Sequence, residues 1–269
     1  MIARFFKAKQ TVSARSPDGW RAYAVGDIHG RLDLLDQLLG LIERDNIARG
    51  ARRTLLVFLG DLIDRGPHSN QVVERLRTYR QPGVETAYIA GNHEEVLLRL
   101  LAGERGLMRH WLKFGGGECL ESYGLDPVAL DRLGETRALD ILRETFPTSH
   151  AAFLTGFADT VRFGDYLFVH AGIRPNVDLS NQRQADLRWI RDPFLTDQSD
   201  HGFMVVHGHT ISERIVERPN RIGIDTGAYR TGILSAIGLE GTSRWQLSTG
   251  LATNVTTATI GGTSVVSAN

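Results

Sequence analysis

The sequence predicts an α/β fold in which two β-sheets pack face to face with helices outside. Three observations predict it. Strand-like apolar runs alternate with helix-like segments between residues 21 and 90, and successive βαβ crossovers build a parallel sheet. Residues 160–247 are instead rich in short β-like runs, enough for a second sheet. Asp, His and Asn residues follow several of the apolar runs directly, at the carboxyl ends of strands where open α/β sheets carry their ligands.

Taken in order, Arg21 to Val25 reads as a strand. Arg31 to Arg44 then sets Leu32, Leu35, Leu38, Leu39 and Ile42 on one helical face. Thr54 to Leu59 is a continuous apolar strand, Asn70 to Tyr79 a helix and Val84 to Ala90 a third strand. From about 95 to 159 leucine-rich helical segments are interrupted at Gly115-Gly116-Gly117, Asp126-Pro127 and Phe146-Pro147, which reads as a helical insertion packed beside the site. Short strands follow over Thr160 to Phe163, Tyr166 to His170, Phe203 to His207, Ile222 to Asp225, Ile233 to Gly238 and Arg244 to Leu247. Gly164-Asp165 makes a tight turn between the first two. The expected layout is an N-terminal extension at 1–19, one domain at 20–250 and a polar, small-residue tail at 251–269.

Composition narrows the function. Of 269 residues 42% are hydrophobic, enough for a packed core. The 31 basic and 31 acidic residues balance, so no global field favours nucleic acid or an anionic membrane as partner. Cys119 is the only cysteine, which excludes an internal disulfide and a cysteine metal site and reads as a buried, inert thiol. No run nears the ~20 apolar residues of a membrane span, and the start lacks a signal-peptide stretch. A soluble cytoplasmic protein is expected.

Five fragments carry the chemistry: Gly26-Asp27-Ile28-His29-Gly30, Gly60-Asp61-Leu62-Ile63-Asp64-Arg65-Gly66, Gly91-Asn92-His93-Glu94, Val169-His170-Ala171-Gly172 and His207-Gly208-His209-Thr210. Their oxygen and nitrogen donors suit Mn, Fe, Zn or Mg. Two divalent ions ~3.5–4 Å apart need a carboxylate between them. Asp27 and His29, two apart on an extended segment, project to one side and would hold the first ion. Asp61 would bridge, while Asn92, His170 and His209 complete the second. A hydroxide bridging the ions is the expected nucleophile, since metal binding brings a water pKa to about 7. His93, oriented by Asp64, would give the leaving alkoxide its proton. Arg65 offers a fork for phosphate oxygens, and Arg191, with Arg188 in reserve, a second. Each fragment alone has a plainer reading: Asn92 and Glu94 as a helix cap, Asp64-Arg65-Gly66-Pro67 as a turn, His170 and His207 as core histidines. Six metal-type side chains after separate strands do not arise that way together. His68, His110, His150 and His201 read as surface or structural.

The same fragments resemble those of the phosphoprotein phosphatase (PPP) family of calcineurin-like metallophosphoesterases, in its bacterial and phage branch. The resemblance covers roughly Arg21 to Leu247. It implies a four-layer αββα sandwich and two divalent ions, Mn2+ by preference in bacterial members, with Fe, Zn, Ni or Mg as alternatives. It places the ligands on Asp27, His29, Asp61, Asn92, His170 and His209, the acid pair on His93 and Asp64, and the phosphate arginines on Arg65 and Arg191. Two departures matter. Ile211 stands where the wider superfamily carries a further metal histidine, and Ala90 where eukaryotic members commonly carry arginine. The segment Asp225-Thr226-Gly227-Ala228 is likewise of bacterial type.

The substrate is less fixed. The expected activity is a metal-dependent serine/threonine protein phosphatase, with dual specificity open. The alternative is a symmetrical bis(5'-nucleosyl)-tetraphosphatase, for which Trp111, Tyr123, Arg99 and Arg109 in the insertion would serve a nucleotide. A remoter alternative is a metal-free scaffold of the same fold.

Overall fold

The computed structural model describes residues 13–250. The expected tail at 251–269 and residues 1–12 of the expected extension lie outside the described residues. Strands β1 (Trp20–Val25), β2 (Arg53–Phe58) and β3 (Val84–Tyr88) are joined by helices α1 (Leu32–Ala48) and α2 (Ser69–Arg77). They lie parallel, as two βαβ crossovers require. The insertion follows as α3 (Asn92–Leu101), α4 (Met108–Trp111), a π-helical turn (Leu112–Gly116), α5 (Gly117–Ser122), α6 (Pro127–Leu133), α7 (Glu135–Thr145) and α8 (Thr148–Thr155). The remainder comprises β4 (Thr160–Phe163), β5 (Tyr166–Val169), α9 (Gln184–Trp189), β6 (Met204–His207), β7 (Val216–Glu217), β8 (Arg221–Gly223), α10 (Ala228–Thr231), β9 (Ser235–Glu240) and β10 (Ser243–Ser248). The elements expected from sequence form within a few residues of their expected ends. β7, α9 and α10 are too short for periodicity to register.

Two five-stranded sheets result, ordered β10-β9-β1-β2-β3 and β4-β5-β6-β8-β7. Side-chain alternation along the strands sorts the apolar residues into three layers of core. Ala22 and Ala24 of β1 and Val57 of β2 meet Tyr166, Phe168 and Val206 of the other sheet. Tyr23, Val25, Leu56 and Phe58 face the opposite way, against α1, α2 and the insertion. Leu167, Val169 and Val205 pack outward onto Leu187, Ile190 and Phe194. Strands buried on both faces explain why the sequence shows unbroken apolar runs. The architecture is the four-layer αββα sandwich, its outer layer on the second sheet reduced to α9 and flanking loops. The helical insertion packs against α2 and continues α3, next to the carboxyl ends of β1, β2 and β3.

Candidate metal centre

The loops after β1, β2, β3, β5 and β6 converge at one end of the sandwich. Backbone strain concentrates there. Among the described residues, non-glycine positive φ occurs at His29 (47°), Asp61 (49°), Asp64 (72°), Arg65 (68°), His209 (62°) and Asn176 (60°), and all but Asn176 belong to the five fragments. Such conformations cost of order 1–3 kcal/mol each and persist only when their surroundings impose them. His29 therefore does not sit on an extended segment as expected; a left-handed turn, not strand alternation, carries its ring into the site. Glycine permits the close approach. A Cβ on Gly208 would lie 2.1 Å from Asp27 Oδ1, and one on Gly91 2.2 Å from Asp61 Oδ1.

Asp61 occupies the middle, 2% exposed. Its Oδ2 lies 3.6 Å from His29 Nε2 and 3.9 Å from His93 Nε2. Its Oδ1 lies 3.4 Å from His170 Nε2. Each carboxylate oxygen thus faces a different histidine group, and two sets of donors, His29-Asp61-His93 and Asp61-His170-His209, each gather within 4.8 Å. Carbonyls fix the rings: Ile63 O lies 2.8 Å from His29 Nδ1 and Leu59 O 2.7 Å from His170 Nδ1. Both rings then carry hydrogen on Nδ1 and turn the Nε2 lone pair inward, as metal histidines do. Asn92 Oδ1 lies 3.0 Å from His170 Nε2. Among the described residues, His209 Nε2 is buried with no hydrogen-bond partner. A buried, orphaned imidazole nitrogen facing a carboxylate and a second imidazole fits a divalent cation and little else.

Charge follows the same pattern. Burial holds His29 and His170 well below or below the usual histidine pKa, and pushes His209 down to about 3, so all three present neutral nitrogens. Burial would raise Asp61, but His170, His93 and His29 together draw it far below the carboxylate range. Asp27 accepts the His209 N–H at 3.0 Å. Burial and then the charge of Asp225 push its own pKa well up. Asp225, raised by burial to about 6, is a carboxylate that sequence reasoning noted only as part of a branch-specific segment. Two carboxylates buried side by side are costly without a cation. Glu94 is no mere cap: its carboxylate accepts the N–H groups of Asp61 (2.9 Å), Leu62 (2.8 Å) and Gly91 (2.9 Å), locking two ligand-bearing loops together.

His93 Nδ1 lies 2.6 Å from Asp64 Oδ2. Burial lowers this histidine, but the charge of Asp61 and the bond to Asp64 more than reverse that. The Arg65 guanidinium reaches within 2.9 Å of His29 Nε2 and 3.1 Å of His93 Nε2. It lies 4.7 Å over the Tyr229 ring. Arg191 lines the same cavity, exposed, whereas Arg188 is tied to Asp159 at 2.7 Å and Glu95 at 3.5 Å. The cavity, ≈ 250 Å³, is walled by Val96, His110, Trp111, Phe114 and Trp189. Of the nucleotide contacts expected in the insertion only Trp111 lines it. Tyr123 bonds His150, and Arg99 pairs with Glu104. Phe114 and Trp189, 51% and 36% exposed, went unnoticed in sequence; His110, read as surface or structural, is exposed and also lines the cavity. Trp189 lies inside the fragment read only for its arginines. Cys119 is buried, its thiol pushed well up by burial and then by Asp64, an inert group as expected.

A four-layer sandwich with nitrogen and oxygen donors paired around one carboxylate at its strand ends defines a metal-dependent phosphoesterase. The calcineurin-like phosphoesterase family model matches residues 21–231, and the chain belongs to that family as a phosphoric ester hydrolase. It is 30% identical over 223 residues to the asymmetrical bis(5'-nucleosyl)-tetraphosphatase PrpE of Bacillus velezensis, covering 76% of this chain and 82% of that one. It is 28% identical over 221 residues to serine/threonine-protein phosphatase 2 of Escherichia coli K12, covering 79% and 90%. These relatives agree with the bacterial branch of the PPP family. A solved structure provisionally assigned as a diadenosine tetraphosphatase superposes with a TM-score of 0.61 at 21% identity, over 89% of this chain and all of the other. Divalent metal ions belong to this family's chemistry. No helix among the described residues is long and apolar enough to cross a membrane.

Proposed function

We propose that this protein is a two-metal phosphomonoester hydrolase acting on phosphorylated serine and threonine side chains of proteins. The observation that carries the two-metal reading is Asp61, with one oxygen toward His170 and the other toward His29. Asp27, His29 and Asp61 would hold one ion; Asp61, Asn92, His170 and His209 the other. Mn2+ is our choice of metal. The ions, when bound, neutralise phosphate charge and activate a water for in-line attack.

The chain supplies the rest. Arg65 and Arg191 bind the non-bridging phosphate oxygens. We assign His93 as a proton donor rather than a ligand: its Nδ1 is committed to Asp64, and Asp61 and Asp64 raise its pKa against burial and the Arg65 guanidinium. Its Nε2, 3.1 Å from the Arg65 guanidinium that would take the phosphate, would protonate the departing alkoxide. The ≈ 250 Å³ cavity has room for a phosphorylated side chain.

A second reading, a bis(5'-nucleosyl)-tetraphosphatase, has one observation in its favour. The rings of Phe114 and Trp189 stand open at the wall, where a base could stack. The metal-free scaffold has none. Turnover of the Mn-loaded protein should be compared on a phosphoserine peptide, diadenosine tetraphosphate and p-nitrophenyl phosphate. Preference for the peptide by kcat/KM is the expected outcome. Preference for the dinucleotide replaces the substrate reading, and metal-independent or absent turnover of all three ends the two-metal one.

A further inference from the structure

The insertion does more than wall the cavity. Trp111, 2% exposed, donates its indole N–H to Asp64 Oδ2 at 2.8 Å. That is the oxygen that also accepts from His93 Nδ1 at 2.6 Å. We infer that Trp111 is a positioning residue for the proton donor, holding the Asp64 carboxylate so that it presents the His93 ring to the leaving group. The inference rests on His93 acting as the acid.

Three features make the contact a constraint. Asp64 stands on a left-handed backbone (φ 72°), with its own N–H donating to Ser69 Oγ at 2.9 Å, so its main chain is fixed from one side. Its side chain retains a rotation that backbone bonds do not control. Two donors meeting on one oxygen remove that freedom, and both are strengthened by the carboxylate charge. The indole itself has no slack: a Cβ on Gly116 would lie 2.3 Å from the Trp111 ring, so glycine there lets the turn close over it. The neighbouring turn holds Arg65 independently, through Arg65 N to Gly115 O at 2.9 Å and Arg65 Nε to Phe114 O at 3.4 Å. Donor and phosphate clamp are thus aligned by two successive pieces of one insertion, through different bonds.

A group that acts only through His93 must lose its influence when His93 is gone, which a double-mutant cycle reads directly. In the Mn-loaded enzyme, Trp111→Phe should lower kcat for phosphoserine peptide about tenfold with KM nearly unchanged, since misorienting a reacting group costs up to ~10²-fold. p-Nitrophenyl phosphate, whose leaving group departs unprotonated, should lose about twofold or less. In a His93→Ala background the same change should cost nothing further on either substrate. Replacing Trp111 by benzothienylalanine keeps the ring's shape and deletes only the N–H, so it gives the same result if the phenylalanine variant is unstable. Equal losses on both substrates, or an undiminished loss without His93, overturn the positioning role. If His93→Ala itself fails to separate the two substrates, the acid reading falls and takes this inference with it.

Discussion

The strand ends of the sandwich and the helical insertion meet at the same cavity but are built to opposite rules. At the strand ends every candidate donor is buried, several stand on left-handed backbone, and glycines bring loops within van der Waals reach. The insertion brings in side chains: Trp111 beneath, His110 and Phe114 at the wall, the last half exposed. Donors for small ions must be placed to fractions of an ångström, and rigid, strained loops do that. A wall that receives a leaving group tolerates variation. Changes at the strand ends should therefore abolish activity, and changes in the insertion should reshape it.

The largest effect tests the first half of that contrast. Asp61→Asn keeps the shape and removes the charge toward which three histidines turn. Loss of several kcal/mol of metal-derived stabilisation corresponds to roughly 10³-fold or more in kcat/KM, and bound Mn, measured by metal analysis, should drop with it. Near wild-type turnover with full metal content would end the two-metal model. His93→Ala comes next. Hydrolysis of a phosphoserine peptide should fall about 10²-fold or more while p-nitrophenyl phosphate falls much less, because general acid catalysis matters only where the leaving group needs a proton. A flat loss would move His93 out of the acid role.

The same contrast marks what the sequence made legible. Asp27, Asp61, Asn92, His170 and His209 could be read as candidate donors because each follows an apolar run that fixes it at a strand end. The turn at His29 could not, since its φ is imposed by the loops bonded around it, its N–H reaching Asp61 O at 2.9 Å. Asp225 also follows an apolar run, so its local signal was present; what the sequence could not show is its nearness to Asp27, across almost two hundred residues. Trp111, Phe114 and Trp189 come from segments whose packing no periodicity encodes. A tryptophan in a leucine-rich helical stretch reads as core, and Trp111 is indeed buried. Only its hydrogen bond distinguishes it from the rest of that core.

Acid should expose the cost of the buried sandwich next. His207, at the end of β6, packs its ring on Phe194 at 5.1 Å, and burial lowers its pKa from 6.5 to about 4. The fold favours the neutral ring, so this contribution is complete above pH 6.5 and is lost as pH falls toward 4. The interval is worth up to about 3 kcal/mol. Urea unfolding of the metal-stripped protein should show His207→Asn flattening the decline between those pH values. An unchanged slope would assign acid sensitivity to other groups.

The smallest effect is the most informative about substrate. Phe114 is half exposed, its ring tilted at 43° to that of His110 with centroids 4.5 Å apart; it serves Arg65 through its backbone carbonyl, not its ring. Phe114→Ala therefore removes an aromatic face and leaves the phosphate clamp in place. Stability should move by no more than about 0.5 kcal/mol, as for other exposed positions. For a phosphorylated serine, which offers no ring to stack, KM should change by less than about twofold. A stacked base would answer differently, because alanine substitution of a stacking aromatic costs ~1–3 kcal/mol per base, at least about fivefold in KM. Measured side by side on phosphoserine peptide and diadenosine tetraphosphate, this variant separates the two substrate readings without touching the metal site. A selective loss on the dinucleotide would make the wall a base-binding surface, and equal, small changes on both leave it a boundary that shapes the entrance and holds nothing.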